Sequence, residues 1–413
     1  MKNKFRIWAI KISFICGSII SGWIVSNLIL KHPKLSLNDL HLIWIVDGRH
    51  FFVRSLDTDP QTIEIELHPE LQRLGNVEIP KFKFKKDKNP STFRIFCVGG
   101  STTRGWPFHV RLSYPKLLSL YLKDLLPDKK IEVINTGLMG SDSFSDIKLV
   151  KEILKYQPDL ILLYEGRNDE WNISLHVGKR AQIIKLHVWL LKHLYFYSFL
   201  KNHFFPEKKY DLARDIRNFT LKGLQVNRKI ICKHLGDNLK KIKKIVSPYC
   251  KIAVLTQVAS LQEIKNKSTI IYVNQFLRRL TKKEKIPLID VEEAFERSGK
   301  DLEELVIPGA VHPDLEGYIL MAKIICKALE QHKLIPNSKW KWENLKPDSY
   351  YLNKLHVTNT FLYYTYLNVV EVFTNIYFSP PLAKKYAQKA KFYKNMKQQS
   401  IKIQTENKHD SLN

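Results

Sequence analysis

An α/β fold, a three-layer arrangement with a parallel sheet between two layers of helices, is predicted by three observations. Short apolar runs recur from residue 93 onward, and stretches with apolar residues at helical spacing separate them. The apolar runs end in clusters of Gly, Ser, Thr and Asn, at the strand ends where such sheets bind ligands.

The strands read as 93–98, 131–135, 159–164, 251–256 and 287–290. The helices between and after them read as 114–126, 144–156, 264–283 and 315–331. Strand one runs into Gly99-Gly100-Ser101, strand two into Thr136-Gly137-Leu138-Met139-Gly140, and strand three into Glu165-Gly166-Arg167-Asn168-Asp169. With 413 residues and 44% hydrophobic content, the chain has room for one large core, assigned to residues 91–335, plus additions at both ends.

The first addition is membrane-directed. Residues 12–30 carry no charge, and 19 residues is about the length a helix needs to cross ~30 Å of hydrocarbon. The run exceeds a usual signal-peptide core and is not followed by a convincing cleavage site, so residues 1–30 read as a cytoplasmic stub and an uncleaved transmembrane helix. Lys2, Lys4, Arg6 and Lys11 precede the span, which places the rest of the chain on the extracytoplasmic side as a single-pass, membrane-anchored protein. Residues 31–90 read as a membrane-proximal segment with β-like pieces at 42–46 and 62–67. The alternating Lys81-Phe82-Lys83-Phe84-Lys85-Lys86 suits either anionic lipid or a solvated edge strand.

An insertion at about 170–220 interrupts the core. Its residues 183–205 mix Leu, Trp, Tyr, Phe, His and Lys, a composition shared by a lid, an interfacial helix and a helix packed on the domain core, with the last favoured. Residues 336–397 form a helical extension, with helices at 360–378 and 381–397 that cannot bury their own faces and must pack elsewhere. Residues 398–413 read as a disordered tail.

Lys and Arg total 67 against 40 Asp and Glu, a net charge of +27. The lysines are spread along the whole chain and no nucleic-acid-binding motif accompanies them, so a nucleic-acid partner is not expected. The five cysteines are widely spaced with no metal-ligand pattern, which argues for buried thiols rather than a zinc site or disulfide framework; a Cys232 to Cys250 bridge stays open.

Ser101 is the candidate nucleophile. A serine hydroxyl needs a base to take its proton and donors for the developing oxyanion. The two preceding glycines let the backbone turn and approach a substrate carbonyl, Gly140 can offer an N–H with no side chain in the way, and Asn168 offers a carboxamide. His312, in Val311-His312-Pro313 just before the last helix, is the best placed of the 14 histidines to act as base. Glu165, Arg167 and Asp169 read as supporting or substrate-contacting groups, and His109 as a surface loop residue.

Taken together, Gly100-Ser101-Thr102-Thr103, Asn135 to Gly140, Gly166-Arg167-Asn168-Asp169 and Val311-His312-Pro313 resemble the four blocks of the SGNH hydrolases, also called GDSL-like esterases and lipases. The resemblance covers roughly residues 90–332 and implies the flavodoxin-like SGNH hydrolase fold. It implies Ser101 as nucleophile, the Ser101 and Gly140 N–H groups and Asn168 as the oxyanion hole, and His312 as general base. It implies no metal and no organic cofactor. The family commonly has an Asp three residues before the histidine, where this chain has Gly309; Asp290, Asp301, Glu303 and Glu304 are the nearby carboxylates that stand as candidates to replace it. The function implied is hydrolysis of an acyl ester, a lipid or an O-acetylated glycan, through an acyl-serine. An O-acyltransferase with the same site and a catalytically silent envelope protein that binds glycan or lipid are the alternatives.

Overall fold

The computed structural model describes residues 53–54, 62–65, 82–204, 228–307, 312–375 and 379–410. In chain order the main elements are β1 (Val53–Arg54), β2 (Thr62–Ile65), β3 (Phe82–Lys85), β4 (Thr92–Gly99), α1 (Ser101–Arg104), α2 (Tyr114–Leu125), β5 (Lys130–Asn135), α3 (Ser143–Ile153) and β6 (Leu160–Tyr164). They continue with α4 (Arg167–His176), α5 (Lys179–His193), α6 (Tyr195–Phe204), α7 (Arg228–Val246), β7 (Lys251–Leu255), α8 (Thr269–Glu284), β8 (Leu288–Ile289) and α9 (Leu315–Gln331), and end with α10 (Asn359–Asn375) and α11 (Pro380–Asp410).

Strands β4 to β8 form one sheet in the order β5-β4-β6-β7-β8, with every neighbouring pair parallel. The chain leaves β4 to one side for β5 and returns to the other side for β6. The crevice beyond the carboxyl end of β4 is therefore the point where strand order reverses, the usual ligand position in such a sheet.

The period-2 alternation of β4 splits the interior into two cores. Ile95 and Cys97 face α2, α9 and the C-terminal helices, whereas Phe96 and Val98 face α3, α7 and α8. Each fully buried side chain of this kind contributes roughly 1.5–3 kcal/mol. The strands and the helices α2 and α9 lie where the sequence predicts them. The predicted helix at 264–283 is divided between a short helix, Leu261–Lys265, and α8. The crossover helix α7 is a finding that the sequence reading missed. Its buried Ile231, Leu235, Leu239, Ile242 and Val246 follow the helical period, diluted by an abundance of lysine.

β1, β2 and β3 make a small antiparallel sheet, whose strand β2 holds residues 62–65 of the predicted piece at 62–67. Phe84 of β3 is buried edge-on against Phe96 and Tyr156, and the Arg94 guanidinium lies 5.3 Å from its ring centre. The Lys/Phe alternation thus gives that phenylalanine to the core. Among the described residues, no helix is long and apolar enough to cross a membrane. Residues 12–30 and 42–46 lie outside the described residues.

At the C-terminus α10 and α11 pack on the core through Tyr366, Val369, Phe373, Tyr386 and Ala390, and α11 runs into the polar tail as far as Asp410. Cys97 and Cys326 are buried thiols, as expected, and Cys232 and Cys250 are also free, so no bridge joins them.

Candidate active site

Ser101 opens α1 immediately beyond β4, and its Oγ lies 2.7 Å from His312 Nε2. The histidine, only 5% exposed, comes from a different part of the chain and is held by its backbone. The Ile307 N–H donates to the His312 carbonyl and the Asp314 N–H to that of Leu305, both at 2.8 Å, and Val306 bridges antiparallel to Pro313. Residues 308–311, including Gly309, lie outside the described residues.

The start of α9 adds a second constraint. Asp314 caps it by accepting the Leu315 N–H, and the same carboxylate accepts from Lys389 Nζ at 2.8 Å, Tyr386 Oη at 3.1 Å and Tyr366 Oη at 3.4 Å. Three side chains of the C-terminal helices thus converge on the residue two positions after His312.

Two glycines have a clear reason. A Cβ on Gly100 would lie 2.5 Å from Asn168 Nδ2, so the absence of a side chain there lets the carboxamide sit against the loop that carries Ser101. Gly140 has φ +72°, a left-handed conformation that favours glycine.

One face of α4 fastens the Gly140 loop. Asn168, Asn172 and His176 are spaced at i, i+4 and i+8 and share that face. Asn168 Nδ2 donates to the Ser141 carbonyl at 2.6 Å, Asn172 Nδ2 to the Gly140 carbonyl at 2.8 Å, and His176 Nε2 pairs with Asp142 Oδ2 at 2.9 Å. An amide NH₂ has two hydrogens, so Asn168 retains a second one for a ligand. Asp142 also caps α3 by accepting the Phe144 and Ser145 N–H groups.

Beneath this loop lie four buried carboxyls, Asp142, Asp146, Glu165 and Asp169. Burial, together with the neighbouring Asp142 charge, pushes Asp169 up to about 7, although Ser143 donates to it from both its hydroxyl and its N–H. Burial and mutual repulsion raise Asp146 and Glu165 well above the carboxylate range. Asp142 goes the other way. Burial would raise it, but the His176 bond and charge, with the Ser145 N–H, hold it below its ordinary value. The Asp146 carboxylate also accepts from Ser141 Oγ at 2.8 Å, linking the cluster to the residue whose carbonyl holds Asn168.

The structure brings Ser101 and His312 together and sets Asn168 against Gly100, but it takes the candidate acids elsewhere. Asp290 receives Arg278 Nε and Nη2 at 2.6 and 2.8 Å and Thr256 Oγ1 at 2.9 Å. Asp301 caps the helix Leu302–Leu305 through the Glu303 N–H, and Glu304 pairs with Lys385 and Lys389. A bidentate guanidinium thus engages Asp290, and a helix terminus engages Asp301. Arg167 pairs with Glu263, and His109 caps the 3₁₀ turn Val110–Leu112 and stacks edge-on with Phe361. Asn172 and His176 were not singled out by the sequence reading. Their spacing from Asn168 is visible in the sequence, but the loop they fasten is not.

A parallel sheet with a serine beyond its first long strand, hydrogen-bonded to a histidine ahead of the last helix of the sheet domain, is the arrangement of an SGNH-type hydrolase. The GDSL-like Lipase/Acylhydrolase family model matches residues 97–320, more than half of the chain, and the chain belongs to that family. Among solved structures it is similar to a putative lipolytic protein of the G-D-S-L family from Desulfitobacterium hafniense, at 17% identity and TM-score 0.37, covering 57% of this chain and 99% of that one. It is similar also to an acetylxylan esterase from Geobacillus stearothermophilus, at 16% identity and TM-score 0.39, covering 57% of this chain and 94% of that one. A lipase/acylhydrolase from Enterococcus faecalis matches at 16% identity and TM-score 0.38, covering 58% of this chain and 96% of that one. No curated protein matches.

Proposed function

We propose that this chain is a serine ester hydrolase that transfers an acyl group to Ser101 and then to water. The observation that carries the reading is the 2.7 Å contact between Ser101 Oγ and His312 Nε2. His312 takes the hydroxyl proton as Ser101 attacks the ester carbonyl, and returns it to the departing alcohol. The negative oxygen of the tetrahedral intermediate is met by the Ser101 and Gly140 N–H groups and the second N–H of Asn168; loss of one such donor typically costs ~10²–10³ in turnover. Water, activated by the same histidine, releases the acid.

Ile307 and the Asp314 contacts fix the backbone that carries His312. The ester is a lipid or an O-acetylated glycan. The uncharged run at residues 12–30 anchors the chain in a membrane, with the catalytic domain on the extracytoplasmic side.

The test is hydrolysis of p-nitrophenyl acetate by the full chain beside Ser101→Ala and His312→Ala. Both variants should fall at least ~10³-fold, because nucleophile and base act as a unit. Hydrolysis unchanged in Ser101→Ala would overturn the reading and favour a protein that binds its ester without cleaving it.

A further inference from the structure

The α5–α6 insertion, whose composition suits packing on the core, instead exposes its large apolar side chains. Ile183, Leu186, Trp189, Phe196, Phe199 and Phe204 are 44–68% exposed. Ile183 with Leu186 on α5, and Phe196 with Phe199 on α6, stand three residues apart and so form outward stripes, while Ala181, Val188, Leu191 and Ser198 are buried beneath. Apolar side chains concentrated in this way mark a contact surface rather than ordinary scatter.

The charge around these residues is of one sign. From Trp171 to Pro206 the sequence contains no Asp or Glu, but it contains Lys179, Arg180, Lys185, Lys192 and Lys201. A second copy of the chain would bring the same basic rim against itself, which opposes self-association. Aromatic rings with interleaved lysines suit the headgroup region of a bilayer, where the ring sits at the boundary and the amine reaches the lipid phosphate. The uncharged run at residues 12–30 points to the same environment.

We propose that the α5–α6 pair is a second, peripheral membrane contact that lies in the interface of an anionic bilayer, with its apolar stripes at the acyl boundary and Lys185, Lys192 and Lys201 among the headgroups. The contact does not depend on Ser101 being active. Where the hydrolase reading holds, it sets the site close to lipid, because α4 joins Asn168 to this surface and its 10 residues span only about 15 Å.

The test places the full chain on vesicles of phosphatidylcholine and phosphatidylglycerol with brominated acyl chains, and compares tryptophan quenching with that of Trp189→Phe. Retention on vesicles is not the readout, because residues 12–30 can supply it. Quenching in the unaltered chain should exceed that in Trp189→Phe, and the excess should shrink in phosphatidylcholine alone or at high salt. An Ile183→Glu, Leu186→Glu double variant that keeps its far-UV circular dichroism should lose the same excess. If Trp189→Phe changes nothing, the contact is refuted; if the excess is equal in both lipids, the anionic assignment is refuted. A Trp189 shielded from brominated lipid in a cross-linked dimer, or by a bound acidic protein, would also overturn it. The measurement repeated in Ser101→Ala separates this proposal from the hydrolase reading, since quenching does not require turnover.

Discussion

Asp314 and Lys389 form a 2.8 Å ion pair in which the carboxylate is almost wholly enclosed, joining the start of α9 to a helix 75 residues further along. Asp314 is two residues from His312, so the C-terminal helices are tied directly to the loop that carries the candidate base. One helical hairpin cannot bury its own face, and here it covers the sheet domain and holds this loop together. Lys389→Met removes the counter-charge and should cost about 1–3 kcal/mol of stability. It should also lower kcat with little change in KM, because the Ser101 to His312 alignment depends on the loop. Lys389→Arg should restore most of both. Thermal unfolding and steady-state hydrolysis measure the two effects, and a loss of stability without a change in kcat would confine the pair to a structural role.

Asn172 has no expected contact with substrate, yet its carboxamide holds the Gly140 carbonyl at 2.8 Å. Asn172→Ala frees the Gly140–Ser141 peptide, which adjoins the peptide that is to present the Gly140 N–H. The expected outcome is a fall in kcat of about tenfold or more at nearly constant KM, smaller than the ~10²–10³ expected for Asn168→Ala. Equal kcat in Asn172→Ala and the unaltered chain would show that the Gly140 loop holds its place without α4.

The buried carboxyls make stability depend on pH with a definite sign. A group whose pKa is raised by folding stabilises the native state fully below its unfolded value, near 4, and loses that contribution as pH rises through its folded value. Asp169, pushed up to about 7, and Asp146 and Glu165, also raised well above the carboxylate range, should therefore weaken the fold as pH rises from about 4 through 7. Asp142, held low, acts in the opposite sense and loses its contribution in acid. Glu165→Gln keeps the size and polarity of the side chain and removes one titration. Its melting temperature should gain on that of the unaltered chain as pH rises from 5 to 8, by a few degrees. A parallel pair of melting curves across that range would show that Glu165 does not titrate with folding.

Arg94 is 2% exposed, with Nε 2.6 Å from Glu132 and its other nitrogens on the carbonyls of Tyr156 and Lys85. It therefore joins β4 to β5 and to the small N-terminal sheet. Arg94→Met should destabilise by about 2–4 kcal/mol, because the buried Tyr156 carbonyl, the Lys85 carbonyl and the half-buried Glu132 carboxylate lose their donor. Urea unfolding measures this, and a change below about 0.5 kcal/mol would mean that water replaces the guanidinium there.

The strands and the two site segments beside them were legible because their information is local. The run Phe93 to Val98 ending in Gly99-Gly100-Ser101, and the Val311-His312-Pro313 loop before a strongly periodic helix, announce themselves within a few residues. The partners of these segments were not legible. Asp314 is fastened by Lys389, Asn172 by a carbonyl 32 residues earlier, and Asp290 by Arg278. The exposure of the α5–α6 insertion was not legible for another reason, since leucine, tryptophan and phenylalanine at helical spacing suit a buried face as well as an exposed one. The fold leaves Ile183 and Phe204 outside.

The central claim, that Ser101 is a nucleophile activated by His312, is tested most directly by reacting the full chain with a fluorophosphonate and finding the modified residue by peptide mass mapping. The account predicts one stoichiometric adduct on the peptide containing Ser101, lost in Ser101→Ala and much slowed in His312→Ala. An adduct that survives Ser101→Ala, or a rate in His312→Ala equal to that of the unaltered chain, would contradict it.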